Sequence, residues 1–185
     1  MKLLTIFFKN AGFTLVELLV VASITGIITT FMLISFQRTR LDLSESASDF
    51  IGQVRATQEK ANGSVRLDDG GGAGLAIRCG YGIHYENNTS YSVYAGPNAS
   101  VVNCVSEDRN FNGNDFKILP IKTLYDPKVE FKSSFSDIFF EPPNPTTFIN
   151  NSSASASISI TIGKIGGTCP QDCKTINVST SGTIE

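Results

Sequence analysis

Tryptophan is absent, and histidine occurs once, at His84. A single histidine excludes a metal centre built on a histidine pair and leaves any His-based triad one candidate. Charge is also scarce: charged residues make up 17% of the chain, against roughly 25% in a typical soluble domain. Basic residues do not predominate. The formal net charge is -2 and the pI about 5.4, so composition announces no basic nucleic-acid-binding surface. No cysteine precedes Cys79, which excludes lipid attachment at a cysteine just after an N-terminal apolar run. The glycine-rich run Asp68-Asp69-Gly70-Gly71-Gly72-Ala73-Gly74 is followed by no Gly-Lys-Ser/Thr and opens no strand-Gly-helix unit, so it is a hinge or loop, not a phosphate cradle. Collagen-like, coiled-coil and wholly disordered chains are excluded by the ordinary glycine, proline and aromatic content. A length of 185 residues fits one domain with an attachment segment, or two small domains.

The apolar residues are unevenly placed. From Phe13 to Gln37 the only charge is Glu17. As a helix this stretch is roughly 37 Å long at 1.5 Å per residue, and a bilayer core needs about 20 apolar residues. A chain of this size has little else to enclose a helix that is apolar all round, so a membrane anchor is favoured over a buried core helix. The run is too long for a secretory signal peptide, and Val20-Val21-Ala22 is a poor cleavage site. A plain anchor does not explain Glu17. A carboxylate at the bilayer centre costs about 2.5–3.5 kcal/mol on insertion scales, so such a residue marks a function and needs a partner.

At Gly12-Phe13-Thr14-Leu15-Val16-Glu17 the sequence resembles type IV prepilins and the pseudopilins of type II secretion. A short leader carrying Lys2 and Lys9 precedes Gly12. Phe13 follows, then a carboxylate at the fifth residue of the mature chain, then an unbroken apolar run. The resemblance implies cutting between Gly12 and Phe13 by a prepilin peptidase on the cytoplasmic side, then N-methylation of Phe13. It divides the chain into a leader at 1–12, a long helix at 13–62 with 13–37 transmembrane, and an extracytoplasmic β-rich domain at 63–185. It further implies a bacterial inner-membrane protein, crossing once, that leaves the membrane for a pilus or pseudopilus filament. Its partners would be other pilin or pseudopilin subunits, the peptidase and the inner-membrane assembly platform.

Elementary chemistry suits that scheme. Gly12 has no side chain, so the scissile peptide can lie extended in a narrow protease site. Cutting before the apolar run leaves the anchor on the product and creates an amine four residues from Glu17. Pairing of Glu17 with the Phe13 amine of a neighbouring subunit would offset its insertion cost and set the register between subunits. Charge alone leaves the orientation nearly balanced, with Lys2 and Lys9 on one side of the run and Arg38 and Arg40 on the other. The resemblance places the N-terminus in the cytoplasm. Many pilins carry a kink-forming proline midway along the anchor; here Gly26 is the only breaker.

Beyond Gln37 the helix is expected to continue. Leu43, Ala47, Phe50, Val54 and Ala61 recur at helical steps, with a gap at Gln58, and form an amphipathic stripe that packs on the chain's own domain. Asn62-Gly63 is the expected stop. Short strands follow: Ala76 to Cys79, a hairpin of Tyr81 to Tyr85 and Tyr91 to Ala95 around Asn87-Asn88-Thr89, then Lys117 to Leu124, Lys128 to Phe131, Asp137 to Glu141, Ser157 to Ile162, Thr175 to Ser179 and Thr183 to Ile184. One long helix before a run of strands predicts an α+β, pilin-like fold with an antiparallel sheet. The Tyr-rich hairpin, Ile118-Leu119-Pro120, Ile138-Phe139-Phe140-Glu141-Pro142-Pro143 and two terminal strands are similar in order to the GspH/FimT type of minor pilin or pseudopilin.

Four cysteines allow three pairings. Local closure favours Cys79–Cys104 and Cys169–Cys173, in keeping with an oxidising extracytoplasmic space. A four-thiolate zinc site is the alternative, without a C-x-x-C pair to support it. Asp108, Asn110 and Asn112 place oxygen side chains at alternate positions before Gly113, like the start of a calcium loop. Leu119 stands where an EF-hand has its bidentate glutamate, and Asp115 is the substitute. A solvated turn is the plain alternative, since Asn, Asp and Gly favour turns. His84 sits in an alternating strand as an ordinary half-buried residue. No Ser-His-carboxylate spacing or carboxylate pair supports an enzyme, and Asn-x-Ser/Thr sequons arise by chance in so Asn- and Ser-rich a chain. A DNA-uptake minor pilin is the alternative binding function. It needs phosphate-neutralising cations, yet Lys174 is the only one near the C-terminus. The leader holds two of the 15 basic residues, so cleavage leaves 13 against 17 acidic ones.

Overall fold

The computed structural model describes residues 14–67, 75–142, 146–154 and 157–185, with the backbone alone for 34–41 and 119. The cut site and the glycine-rich loop at 68–74 lie outside these residues. The chain divides into two compact units, one ending at Arg40 and the other comprising Leu41–Glu185.

Helix α1 covers Leu15–Asn62. Within the second unit its stripe is buried as the spacing requires: Leu43, Ala47, Phe50, Val54 and Ala61 are all in the core. The gap at Gln58 has a physical reason. Its Nε2 donates to the Gly182 carbonyl at 3.2 Å, while the buried Thr57 turns its hydroxyl back on the Gln53 carbonyl. The helix stops at Asn62, but Gly63 is not the left-handed residue. Ser64 is, at φ 46°. Val65 N–H donates to Lys60 O and Ser64 N–H to Ala61 O, the crossed pair that closes a Schellman end.

Ten strands follow: β1 (Arg66–Leu67), β2 (Ala76–Ile77), β3 (Tyr81–Asn87), β4 (Ser90–Ala95), β5 (Phe116–Thr123), β6 (Val129–Phe131), β7 (Ile138–Glu141), β8 (Thr146–Ile149), β9 (Ser157–Lys164) and β10 (Cys173–Ser179). All pairings are antiparallel. One sheet runs β5-β4-β3-β7-β8, a second runs β10-β9-β6, and β1 pairs with β2. The α+β expectation therefore holds. β1 and β8 were not expected, the Ala76–Cys79 strand shrinks to Ala76–Ile77, and Thr183–Ile184 forms only a bridge, Val178 to Ile184.

The β3–β4 register pairs Tyr81 with Ala95, Ile83 with Val93 and Tyr85 with Tyr91. Period-2 alternation thus turns one row of side chains towards α1. Phe50 meets Tyr91, Phe131 and Phe135 edge-on, with ring centroids 5.0, 5.4 and 5.9 Å apart. These rings, with Ile160, Ile162, Ile176 and Val178 from the second sheet, make one core. β5 is an edge strand, and its register jumps where Tyr91 and Val93 face Lys122 and Ile118. Pro120 sits in that irregular stretch, where a missing N–H costs no ladder bond.

The other face of the five-stranded sheet is also covered. Ser92 and Tyr94 on β4 are buried there. The segment 98–115 lies over them as a strap. The Tyr94 hydroxyl donates to Arg109 O at 2.6 Å, and the Phe111 ring contacts Tyr94 and His84 at 5.3 and 4.8 Å. Gly82 and Gly80 make room for this layer. A β-carbon on Gly82 would collide with the Tyr94 ring, and one on Gly80 with Phe139 and the Phe140 carbonyl.

Candidate functional site

Two regions carry the residues singled out from the sequence. The first is the start of α1. Thr14 caps it: its Oγ1 accepts the Glu17 N–H at 3.3 Å, and its carbonyl accepts the Leu18 N–H at 3.2 Å. Thr14-x-x-Glu17 is the spacing of a capping box, which uses two of the orphan N–H groups of a helix start. Glu17 sits in the first turn, where the helix dipole favours a negative charge. Sequence reasoning singled out Glu17 for its charge and passed over Thr14; the Thr-x-x-Glu spacing was the signal that could have found it.

Leu15–Leu33 is long and apolar enough to cross a membrane. Its large side chains are open on every side, from Val20 at 48% exposed to Leu15 at 82%. Such a helix has to be covered by lipid or by other helices. Its four hydroxyl groups are no obstacle. Ser23, Thr25, Thr29 and Thr30 donate to the carbonyls of Leu19, Val21, Thr25 and Gly26 at 2.6–2.9 Å. Each hydroxyl is thereby satisfied inside the helix, as an apolar surround demands. Gly12 and Phe13, the expected cut site, lie outside the described residues.

The second region is the strap. Cys79 is bonded to Cys104, and Cys169 to Cys173, with no free cysteine. A four-thiolate zinc site is therefore excluded. Arg109 anchors the strap's middle. Its Nε donates to Glu141 Oε2 at 3.0 Å, its Nη1 to Glu107 O at 3.1 Å, and its guanidinium lies 4.2 Å from the Phe148 ring centroid. Asp137 holds both sides: Oδ1 is 2.7 Å from His84 Nδ1, and Oδ2 accepts the Phe111 N–H at 2.7 Å. His84 is thus a structural clamp beside Phe111, with no nucleophile among its described partners.

Asp108, Asn110, Asn112 and Asp115 fall in one turn at the end of the strap. Asp108 Oδ1 accepts the Asn110 N–H, Asp115 Oδ2 the Asn112 N–H, and Asn112 Oδ1 the Asn114 N–H, at 3.0, 2.8 and 2.8 Å. Burial, with Asp108, Asp137 and Glu107 nearby, pushes the Asp115 carboxyl up to about 6, against the lowering effect of its Asn112 bond. Among the described residues no three His, Cys, Asp or Glu side chains converge as a metal-binding group. Any cation here would depend on amide and carbonyl oxygens as well.

Residues 7–33 match the prokaryotic N-terminal methylation motif. No curated protein and no solved structure matches the chain. The motif spans Gly12, Phe13, Glu17 and the open apolar helix. That N-terminal segment is the kind carried by precursors of type IV pilins and pseudopilins.

Proposed function

We propose that the chain is the precursor of a minor pilin or pseudopilin of the GspH/FimT type. A prepilin peptidase cuts it between Gly12 and Phe13 and Phe13 is methylated. The product joins the filament of a type IV pilus or of a type II secretion pseudopilus. Its work is mechanical: a helical subunit is inserted, extracted from the inner membrane and stacked by the assembly platform, with no substrate turned over.

One observation carries the proposal. The methylation motif at 7–33 coincides with a helix that begins at a built cap, satisfies its own hydroxyl groups and, Glu17 apart, offers an apolar surface all round. Two disulfides in the second unit support an oxidising, extracytoplasmic location for Leu41–Glu185. Acidic residues outnumber basic ones, 17 to 15, and among the described residues four of the domain's eleven cations are ion-paired. Arg109, Lys117, Lys132 and Lys164 pair with Glu141, Glu86, Glu130 and Asp172, and this acidic balance disfavours DNA as a partner.

The proposed assembly contact is between Glu17 and the Phe13 amine of a neighbouring subunit. Glu17→Ala should insert and be cleaved normally, yet recover in sheared filaments or in subunit cross-links at a tenth of the wild-type level or less. Wild-type recovery of Glu17→Ala in filaments would remove Glu17 from assembly.

A further inference from the structure

The Asp108–Asp115 turn contains a local fault that its own residues do not repair. Asn110 Oδ1 and Asp115 Oδ1 are both buried from solvent, and neither accepts a hydrogen bond. A buried acceptor left without a donor costs about 1–3 kcal/mol, so such atoms signal a missing water, proton or ion. Here two of them belong to one turn. The groups around them are acceptors too. Asp108 and Glu107 add carboxylates, and Asp137 has its two oxygens committed to His84 and the Phe111 N–H. The Asn110 amide turns its Nδ2 towards Asn150 Oδ1 at 3.5 Å. Arg109 points its guanidinium away, to Glu141 and the carbonyls of Glu107 and Val105. Lys117 holds its ammonium 5.0 Å from the Phe111 ring centroid and is paired with Glu86.

We propose that this turn holds a hard divalent cation of the calcium type, with Asn110 Oδ1 and Asp115 Oδ1 as ligands and Asp108 as the second carboxylate. The spacing Asp-x-Asn-x-Asn-Gly over Asp108 to Gly113 is that of a calcium-binding loop, in which oxygens at alternate positions close on the ion and the glycine lets the chain turn back. Two carboxylates, amide oxygens, backbone carbonyls and water suit calcium, which takes six to eight oxygens in flexible geometry. Magnesium demands a tighter octahedron and holds its own waters. The cation ties the end of the strap to the start of β5, since Asp115 immediately precedes Phe116. The site stands independently of the assembly role. Only its expected affinity, in the roughly 10⁻⁴–10⁻³ M range of extracellular modules, borrows the extracytoplasmic location.

The test uses the full chain in detergent micelles, stripped with chelator and dialysed. Calcium chloride is titrated calorimetrically, with magnesium chloride as the comparison, and thermal unfolding is followed in both salts. The site predicts one calcium per chain, a higher unfolding temperature with calcium, and an effect of magnesium at least tenfold weaker. Asp115→Asn should cut calcium affinity at least tenfold. The substitution removes a buried charge that Asp108, Asp137 and Glu107 repel, so in metal-free buffer the variant should be as stable as wild type or more so. That outcome separates ligand loss from misfolding. No saturable calcium uptake by the wild type overturns the proposal, as does unchanged affinity in Asp115→Asn. A variant stabilised in metal-free buffer while the wild type ignores calcium would assign a proton, not a cation, to Asp115, and would overturn it equally.

Discussion

Gly82 shows how much of this domain depends on a side chain that is not there. Tyr94 lies flat over it and passes its hydroxyl to the Arg109 carbonyl, so ring and strap descend together onto the sheet. Gly82→Ala forces the ring out of that place. Overpacking of this kind costs about 1–3 kcal/mol, which lowers the unfolding temperature of a domain this size by about 2–4 °C per kcal/mol. The fall should be measurable by calorimetry, and Gly52→Ala, where a β-carbon meets nothing in a helix, should not reproduce it. Burial raises the pKa of Tyr94 and of Tyr91 well above the ordinary phenol range, so both stay neutral at any working pH. At the other end of the chain, Thr14 and Glu17 combine two roles within four residues. One side chain fixes where the helix starts, and the other places a carboxylate at its positive end.

Among the elements, those with strong local periodicity were legible and those held by distant contacts were not. The stripe from Leu43 to Ala61 and the Tyr81–Ala95 hairpin repeat at 3.6 and 2 residues, and both are present. β8 is four residues long and shows no alternation that separates it from a loop; pairing with β7 makes it a strand. The helix stop was legible at Asn62, while the left-handed position fell on Ser64, because the crossed bonds to Lys60 and Ala61 decide it. The strap was the least legible part. Arg109 reaches Glu141 and Asn151, 32 and 42 residues away, and nothing local in 98–115 announces those partners. The cysteine pairs followed from nearness in sequence. Cys79–Cys104, spanning 25 residues, closes the strap's near end against the sheet. Replacing both by serine should cost about 2–5 kcal/mol. Amide exchange should then quicken first over 98–115, with the α1 residues 43–61 protected until global unfolding. Uniform loss of protection would show that the strap does not open separately.

For the whole molecule, the methylation motif was legible because its residues sit side by side along one short linear stretch, from before Gly12 to the end of the apolar run. The cation turn was half legible. Oxygen spacing gave its position, but the two unsatisfied oxygens emerge only when the strap is folded against Asp137 and Asn150. The two units divide the labour accordingly. The first presents a helix long and apolar enough to cross a membrane. The second is a disulfide-closed α+β domain. The central claim is that the first unit is made by processing. The most direct measurement is intact-mass and N-terminal analysis of the protein co-expressed with a prepilin peptidase, beside a Gly12→Val control. The account predicts a chain that has lost residues 1–12, begins at Phe13 and carries the mass of one added methyl group, with the control left uncut. A full-length, unmethylated chain in both samples would contradict it.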